Sequence, residues 1–93
     1  MKYRVIYSKR FLKSLRRVKQ WPGFREEQLR FLIRALSCGE QLKTQFRDHE
    51  LRGNLIGYRE CHIAPDISLI YIIENDVLTL TLINIGNHAQ LFK

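Results

Sequence analysis

Three histidines lie in the second half of the chain, and each could move a proton near neutral pH. They are His49, His62 and His88, and Asp66 follows the second of them by four residues. Because the unperturbed pKa of histidine is about 6.5, both its acid and its base form are populated around neutrality. A carboxylate can act as a base or hold an imidazole in one tautomer. This set of side chains therefore indicates acid–base chemistry.

Metal-free cleavage of RNA is one reaction that such groups can carry out. The ribose 2′-OH attacks the adjacent phosphorus in line, so one group must accept its proton while another protonates the leaving 5′ oxygen. A cation must also stabilise the negative charge that develops on the phosphoryl oxygens. Arginine suits this task because its planar fork matches phosphate. The same segments of the chain contain Arg47, Arg52 and Arg59.

Other interpretations of these residues stay open at this point. A lone histidine in a small domain is more often a surface or structural residue than a catalytic one, and Asp66 after Pro65 is also typical of a turn. Three histidines and an aspartate could bind zinc, but their separations match no compact metal motif. We therefore predict no metal site and no cofactor. Cys38 and Cys61 have neither a Cys-x-x-Cys nor a finger spacing, so we expect free thiols in a reducing cytosol.

The N-terminal part of the chain is strongly cationic. The first 25 residues contain nine lysines and arginines and no acidic residue, and the whole chain has a formal net charge of +7. Such a balance predicts an acidic or polyanionic partner, which could be a nucleic acid, a protein or both. The residues expected to bind RNA or phosphate from this region are Lys9, Arg10, Lys13, Arg16 and Arg17.

Apolar periodicity predicts two helices after a first strand over residues 3–7. Ser8 offers an N-cap hydroxyl, and apolar residues then recur at the spacing of an amphipathic helix. Trp21-Pro22-Gly23 ends this helix, because proline cannot continue it. A second helix is expected over about residues 24–36, and Cys38-Gly39 ends it because glycine favours the left-handed position that follows a helix.

The second half predicts a sheet. Residues 40–55 form a long polar stretch without a clear period, which predicts a loop. The alternation of residues 57–63 places Tyr58, Glu60 and His62 on one face of a strand, and further strands are expected over residues 68–73 and 77–83. The order β-α-α-β-β-β predicts a single α+β domain over residues 1–93. In it, the helical hairpin packs on one face of a mainly antiparallel twisted sheet, and the partner of the first strand is left open.

Four sequence strings, in this order and spacing, resemble the YafQ branch of the RelE/ParE toxins, which are bacterial toxins of type II toxin–antitoxin systems. The β-α-α-β-β-β order agrees with the RelE-like fold across the whole chain. The strings are DHELRG at residues 48–53, YRECHIAPD at 58–66, LIY at 69–71 and GNHAQLF at 86–92.

The resemblance implies roles for particular residues. By motif position, His49, His62, Asp66, His88 and Phe92 correspond to active-site residues of that branch. His88 takes the place of the general acid, and either Asp66 or His62 takes that of the general base. His49 would support the proton network or the phosphate, and Phe92 would stack on or position a base. The alternative for Phe92 is a core contact near the C-terminus.

Two positions depart from the pattern of the branch. Ile67 stands where relatives often carry tryptophan, and Asn84 stands where they commonly carry an arginine. That arginine would be a natural phosphate clamp, so the resemblance leaves the cation of the transition state unassigned. Arg52 and Arg59 are the local substitutes.

The function implied by the resemblance is ribosome-dependent cleavage of mRNA in the A site of the 70S ribosome. Such a metal-independent endoribonuclease acts in the bacterial cytoplasm, is neutralised by a cognate antitoxin, and reaches operator DNA only as a toxin–antitoxin complex. Two alternatives stay open: a ParE-like gyrase inhibitor that is not a nuclease, since a fold does not determine a function, and a DNA-binding corepressor module that uses the basic helix. No apolar run approaches the roughly 20 residues needed to span a bilayer, so no membrane partner is expected.

Overall fold

The computed structural model describes residues 1–92 and shows the predicted α+β class, with a helical hairpin against a mainly antiparallel sheet. The predicted element order is confirmed, with two short elements added to it. The helices and strands are β1 (Arg4–Tyr7), α1 (Lys9–Val18), α2 (Glu26–Ser37), β2 (His49–Glu50), β3 (Arg59–Ala64), β4 (Ile67–Glu74), β5 (Thr79–Gly86) and α3 (His88–Leu91).

The sheet has five strands in the order β1-β5-β4-β3-β2. All neighbours are antiparallel except β1 and β5, which are parallel with Arg4 opposite Thr79. The partner of the first strand, which the sequence leaves open, is therefore β5. Strand β3, which carries His62, is held between β4 and β2, whereas β2, which carries His49, is an edge strand.

The core lies between the helical hairpin and the sheet. Helix α1 packs on β5, and α2 reaches β3. The fully buried side chains of this core include Phe11, Leu32, Leu69, Leu80 and Leu82. Burial of each such side chain stabilises the fold by about 1.5–3 kcal/mol. The sheet is therefore a rigid support for the side chains that do not point into this core. No helix in residues 1–92 has the length and apolar content needed to cross a bilayer.

Both predicted helix boundaries in the hairpin have a physical cause. The Ser8 hydroxyl oxygen accepts a hydrogen bond from Phe11 N at 3.0 Å and donates one to the carbonyl of Ile83 at 2.9 Å, which ties the start of α1 to β5. Gly39 follows α2 with φ of +78°, the left-handed conformation that glycine adopts without strain. Helix α2 begins at Glu26, two residues later than the periodicity predicted.

Residues 40–55 are more ordered than predicted. They contain two short 3₁₀ turns, Thr44–Phe46 and Gly53–Leu55, and the two-residue strand β2 between them. Strand β2 adds to the edge of the sheet with His49 opposite Glu60. The prediction of β5 began two residues early, because Val77 and Leu78 belong to the turn before it.

Candidate active site

A buried carboxylate lies at the centre of the three histidines. Glu60 is only 2% exposed, and its Oε2 atom lies 2.6 Å from His88 Nε2 and 3.7 Å from His62 Nε2. Its Oε1 atom lies 3.1 Å from His49 Nε2. A carboxylate this deeply buried needs partners, because an isolated buried charge is very costly. We call these four residues the histidine–glutamate cluster.

Strand pairing brings three members of the cluster together. Glu60 and His62 are two residues apart on β3 and therefore point to the same face of the sheet. The register of β2 against β3 places His49 directly opposite Glu60. The predicted face of residues 57–63 is thus confirmed for this pair, and the loop before β3 supplies the third side chain.

Helix α3 supplies the fourth member. Asn87 caps the helix through a reciprocal pair of hydrogen bonds with Gln90, at 2.9 and 3.1 Å, which fixes the first helical residue, His88. The chain reaches this cap through Gly86, where an added Cβ would lie 2.7 Å from the Gln90 Oε1 atom. The ring of Phe92, at the other end of α3, stands edge-on to His88 with centroids 5.0 Å apart.

His49 has a polar neighbour at each of its ring nitrogens. Its Nδ1 atom lies 2.7 Å from the carbonyl oxygen of Arg47, which can only accept, so Nδ1–H donates. Its Nε2 atom lies 3.1 Å from Glu60 Oε1. The ring therefore faces the buried carboxylate from the edge of the sheet.

His62 is biased towards its neutral form. Burial lowers the pKa of His62, the charge of Glu60 partly opposes this, and the positive charge of Arg47 lowers the pKa further. A neutral imidazole at neutral pH can accept a proton. His62 therefore suits the role of the general base. The sequence resemblance leaves this role open between His62 and Asp66.

The pKa of His62 leads to a pH prediction. If His62 is the base, we expect the acid limb of kcat/KM for RNA cleavage to lie below the pKa of about 6.5 of a free histidine. Arg47→Gln removes a charge that lowers the pKa of His62, so the limb should move to higher pH by a fraction of a unit. Arg47→Lys keeps the charge and serves as the control. An identical limb in the Gln and Lys variants would contradict the assignment.

Asp66 and Phe92 both border the cluster without belonging to it. Asp66 is exposed in the turn between β3 and β4, where it lines a cavity of about 150 Å³ with Pro65, Asn87 and the two histidines His62 and His88. Phe92 is 36% exposed. It is therefore no buried core contact, and its accessible ring could meet a base.

Arg59 already has a partner in the structure. Its guanidinium donates to the Asp48 carboxylate from Nη2 at 3.0 Å and from Nε at 3.4 Å. The hydroxyl of Tyr71 donates to the same carboxylate. The hydrogen bond with Asp48 raises the pKa of Arg59, and burial raises the pKa of Tyr71, so both stay protonated. This network fastens the residue before His49 to β3 and β4.

The basic residues of α1 form a separate surface. The inner face of α1 buries Phe11, Ser14 and Val18, and the opposite face is exposed. Arg52 is likewise exposed, in the segment after β2. We call the exposed face of α1 the α1 basic surface, made of Lys9, Arg10, Lys13, Arg16 and Arg17.

Glu60 is the site residue that the sequence did not single out. The alternation of residues 57–63 predicts Glu60 on the face of His62, but a glutamate on a half-exposed strand is usually a solvated residue. The available signal was its position two residues before His62, on the same face of the strand. His49 on β2 and His88 on α3 contact its carboxylate.

Residues of the cluster could also hold a metal ion. Donor atoms of Glu60, His62 and His88 all lie within 4.8 Å of one another. Two imidazoles and a carboxylate are a donor set that suits zinc or copper. The chemistry of these groups is therefore compatible both with proton transfer and with metal binding.

The chain is similar to known bacterial toxins in sequence and in fold. An mRNA interferase toxin YafQ from Escherichia coli is 39% identical over 51 residues, which cover 55% of this chain and 53% of that protein. A copper-bound mutant toxin from Helicobacter pylori has a TM-score of 0.89 at 36% identity, over 97% of this chain and 99% of that chain. A chain of the E. coli DinJ–YafQ toxin–antitoxin complex has a TM-score of 0.86 at 28% identity, over the whole of both chains.

These similarities, together with the fold and the cluster, define the class as small bacterial toxins. The chain belongs to the YafQ family, whose family model, described as a bacterial toxin of type II toxin–antitoxin systems, matches residues 3–93. The resemblance drawn from the four sequence strings is thereby confirmed. The sequence match spans about half the length of the E. coli mRNA interferase.

Proposed function

We propose that this chain is the toxin of a type II toxin–antitoxin system and an endoribonuclease that cuts mRNA on the ribosome. The observation that carries the proposal is the contact of Glu60 with His49, His62 and His88. This arrangement combines a histidine whose pKa is lowered, two further imidazoles and a carboxylate within one small site. Membership of the YafQ family and the name of the E. coli relative support it.

The proposed reaction needs no metal. His62 accepts the proton of the ribose 2′-OH as the oxygen attacks phosphorus, and His88 donates a proton to the 5′ oxygen that leaves. The products are a 2′,3′-cyclic phosphate and a 5′-hydroxyl end. Glu60 holds the His88 ring in place by accepting from Nε2 at 2.6 Å, and Phe92 stacks on a base near the scissile bond.

Arginines supply the positive charge at the phosphate. Arg52 is exposed in the segment that follows His49, and Arg47 is close enough for its charge to lower the pKa of His62. Arg59 contributes mainly by holding Asp48 at 3.0 Å. Arg52 and Arg47 would thus supply the positive charge of the arginine that relatives commonly carry at the position of Asn84.

The α1 basic surface is the proposed contact with polyanions. Ribosomal RNA supplies the negative charge during cleavage, and an acidic antitoxin segment competes for the same surface in the bacterial cytoplasm. The similarity to a chain of the DinJ–YafQ complex supports an antitoxin partner. Operator DNA is contacted only through the toxin–antitoxin complex.

A translating extract tests this proposal. The wild-type chain should cut a reporter mRNA when ribosomes are present and leave the same purified mRNA intact, while His88→Ala should leave it intact in both conditions. Identical uncut message with wild type and His88→Ala, in the presence of ribosomes, would contradict the proposal. Arrested replication with intact mRNA in cells would favour the gyrase inhibitor instead.

A second proposal concerns transition-metal ions at the cluster. The bound copper of the H. pylori toxin and the spacing of the donor atoms of Glu60, His62 and His88 support it. An ion there would occupy the lone pairs that proton transfer needs, so we propose that Cu²⁺ or Zn²⁺ inhibits the toxin.

Metal removal and addition should have opposite effects. Treating the chain with EDTA and desalting it before it meets the ribosomes should leave cleavage unchanged or faster. Equimolar Cu²⁺ should lower it by about tenfold or more, because His62 and His88 are then blocked. Extra Mg²⁺, which prefers oxygen ligands, is the control. Cleavage that is lost with EDTA and restored by Zn²⁺ would contradict metal-independent catalysis.

A further inference from the structure

A second, larger cleft opens beside the catalytic cavity. Its volume is about 660 Å³, which lies in the range of small-molecule sites. Three residues, Pro65, Asp66 and Asn87, line both this cleft and the smaller cavity that contains His62 and His88. The cleft and the smaller cavity are therefore adjacent, with these three residues between them. The remaining lining residues are Trp21, Pro22, Gly23, Ala64 and Ile67.

Trp21 is held firmly at the wall of this cleft. Its backbone N–H donates to Val18 at 3.0 Å, and its carbonyl accepts from Phe24 N at 3.1 Å, so the turn between the two helices is bonded on both sides. Its side chain is partly buried against the core. Ile67 is 2% exposed and lies at the same cleft. The cleft thus presents a positioned aromatic ring and an apolar wall.

Two polar side chains of the cleft can form hydrogen bonds with a ligand. Asp66 is exposed, and its carboxylate only accepts hydrogen bonds. The Oδ1 atom of Asn87 accepts from Gln90 N at 2.9 Å. Its amide nitrogen can donate to a ligand. The cleft offers one stacking surface, one acceptor pair and one donor.

We propose that the Trp21 cleft binds an unpaired base of the RNA next to the scissile phosphate and prefers guanine. Guanine donates from N1 and N2 on one edge, which matches both oxygens of Asp66, and its O6 atom accepts next to them, which matches Asn87. Uracil and cytosine lack this pattern, and adenine lacks N1–H. Stacking on Trp21 supplies affinity that depends little on the base. The inference rests on the proposed ribonuclease function and adds its sequence preference.

The only tryptophan of the chain reports directly on this cleft. Stacking should quench its fluorescence, so the intact chain is titrated with GMP, AMP, CMP and UMP, with ribose 5-phosphate as the ligand that lacks a base. N-acetyltryptophanamide corrects for absorption by the nucleotides. We expect saturable quenching that is about tenfold tighter for GMP than for UMP, and none with ribose 5-phosphate.

Matched variants separate base recognition from cleavage. Asp66→Asn should weaken GMP about tenfold and leave AMP nearly unchanged, because only guanine donates twice to the carboxylate. His88→Ala should keep the quenching, since it leaves the cleft intact. Trp21→Phe should keep the guanine preference among mRNA cleavage sites, and Trp21→Ala should lose it.

The outcomes distinguish this inference from the proposed function. Equal quenching by GMP and UMP, or quenching by ribose 5-phosphate, would overturn the guanine site. Cleavage of mRNA without any nucleotide-dependent quenching would overturn it as well, while leaving the ribonuclease proposal intact. Guanine-dependent quenching in a chain that cuts no RNA would support the cleft and contradict the ribonuclease.

Discussion

Glu60→Gln is expected to lower mRNA cleavage by at least about 100-fold while the protein stays folded. The amide has nearly the size of the carboxylate, but its nitrogen cannot accept from His88 Nε2, which lies 2.6 Å from Glu60 Oε2. The negative charge that partly raises the pKa of His62 is also lost, so that pKa falls further. One substitution thus disturbs the proposed acid, His88, and the proposed base, His62, together.

Folding should respond much less than activity. The side chains of His49 and His88 are 50% and 62% exposed, so removing the Glu60 charge removes its desolvation cost without leaving either of these partners as a buried unpaired charge. We expect the thermal midpoint of Glu60→Gln to change by a few degrees at most. The matched control is Glu74→Gln, an exposed glutamate at the end of β4, which should change neither quantity. Cleavage by Glu60→Gln at the wild-type rate would show that Glu60 takes no part in catalysis.

His88→Ala should lower cleavage by about 10²–10⁴-fold because it removes the general acid. The leaving 5′ oxygen is a poor leaving group without a proton. A substrate with sulfur in place of that oxygen leaves as a thiolate and does not need the acid. The scissile position of a short mRNA programmed on the ribosome can carry this single change.

The sulfur substrate distinguishes the roles of the two residues. It should restore most of the lost rate to His88→Ala and little of it to His62→Ala, since His62 acts on the 2′-OH instead. Ala89→Gly on the same helix is the control, because it changes α3 but keeps the imidazoles of His62 and His88. No rescue of His88→Ala by sulfur would show that His88 positions the substrate and does not protonate the leaving group.

The long elements follow from local patterns, and the site does not. The core stripe of α1 recurs at helical spacing and β4 is a continuous apolar run, so the place of both in an α+β fold was predictable. Strand β2 is only His49 and Glu50, too short to show a period, and it exists because β3 offers an edge. The loop over residues 40–55 was predicted without this strand.

The members of the cluster were predictable to different degrees. The sequence strings indicated His49, His62 and His88 through resemblance, and the structure brings all three within reach of one carboxylate. Glu60 was missed because its contacts come from β2 and α3, which lie far apart in the chain. The engagement of Arg59 by Asp48 was missed for the same reason, since strand register decides it.

The most direct test of the account replaces one ribose by 2′-deoxyribose at the scissile nucleotide of an mRNA bound to the ribosome. If His62 and His88 catalyse attack by the 2′-OH, this single change abolishes the cut, and the all-ribose mRNA yields 2′,3′-cyclic phosphate and 5′-hydroxyl ends. Cleavage of the 2′-deoxy mRNA at an unchanged rate, with 3′-hydroxyl and 5′-phosphate ends, would show that water is the nucleophile. That result would contradict the proposed role of the histidine–glutamate cluster.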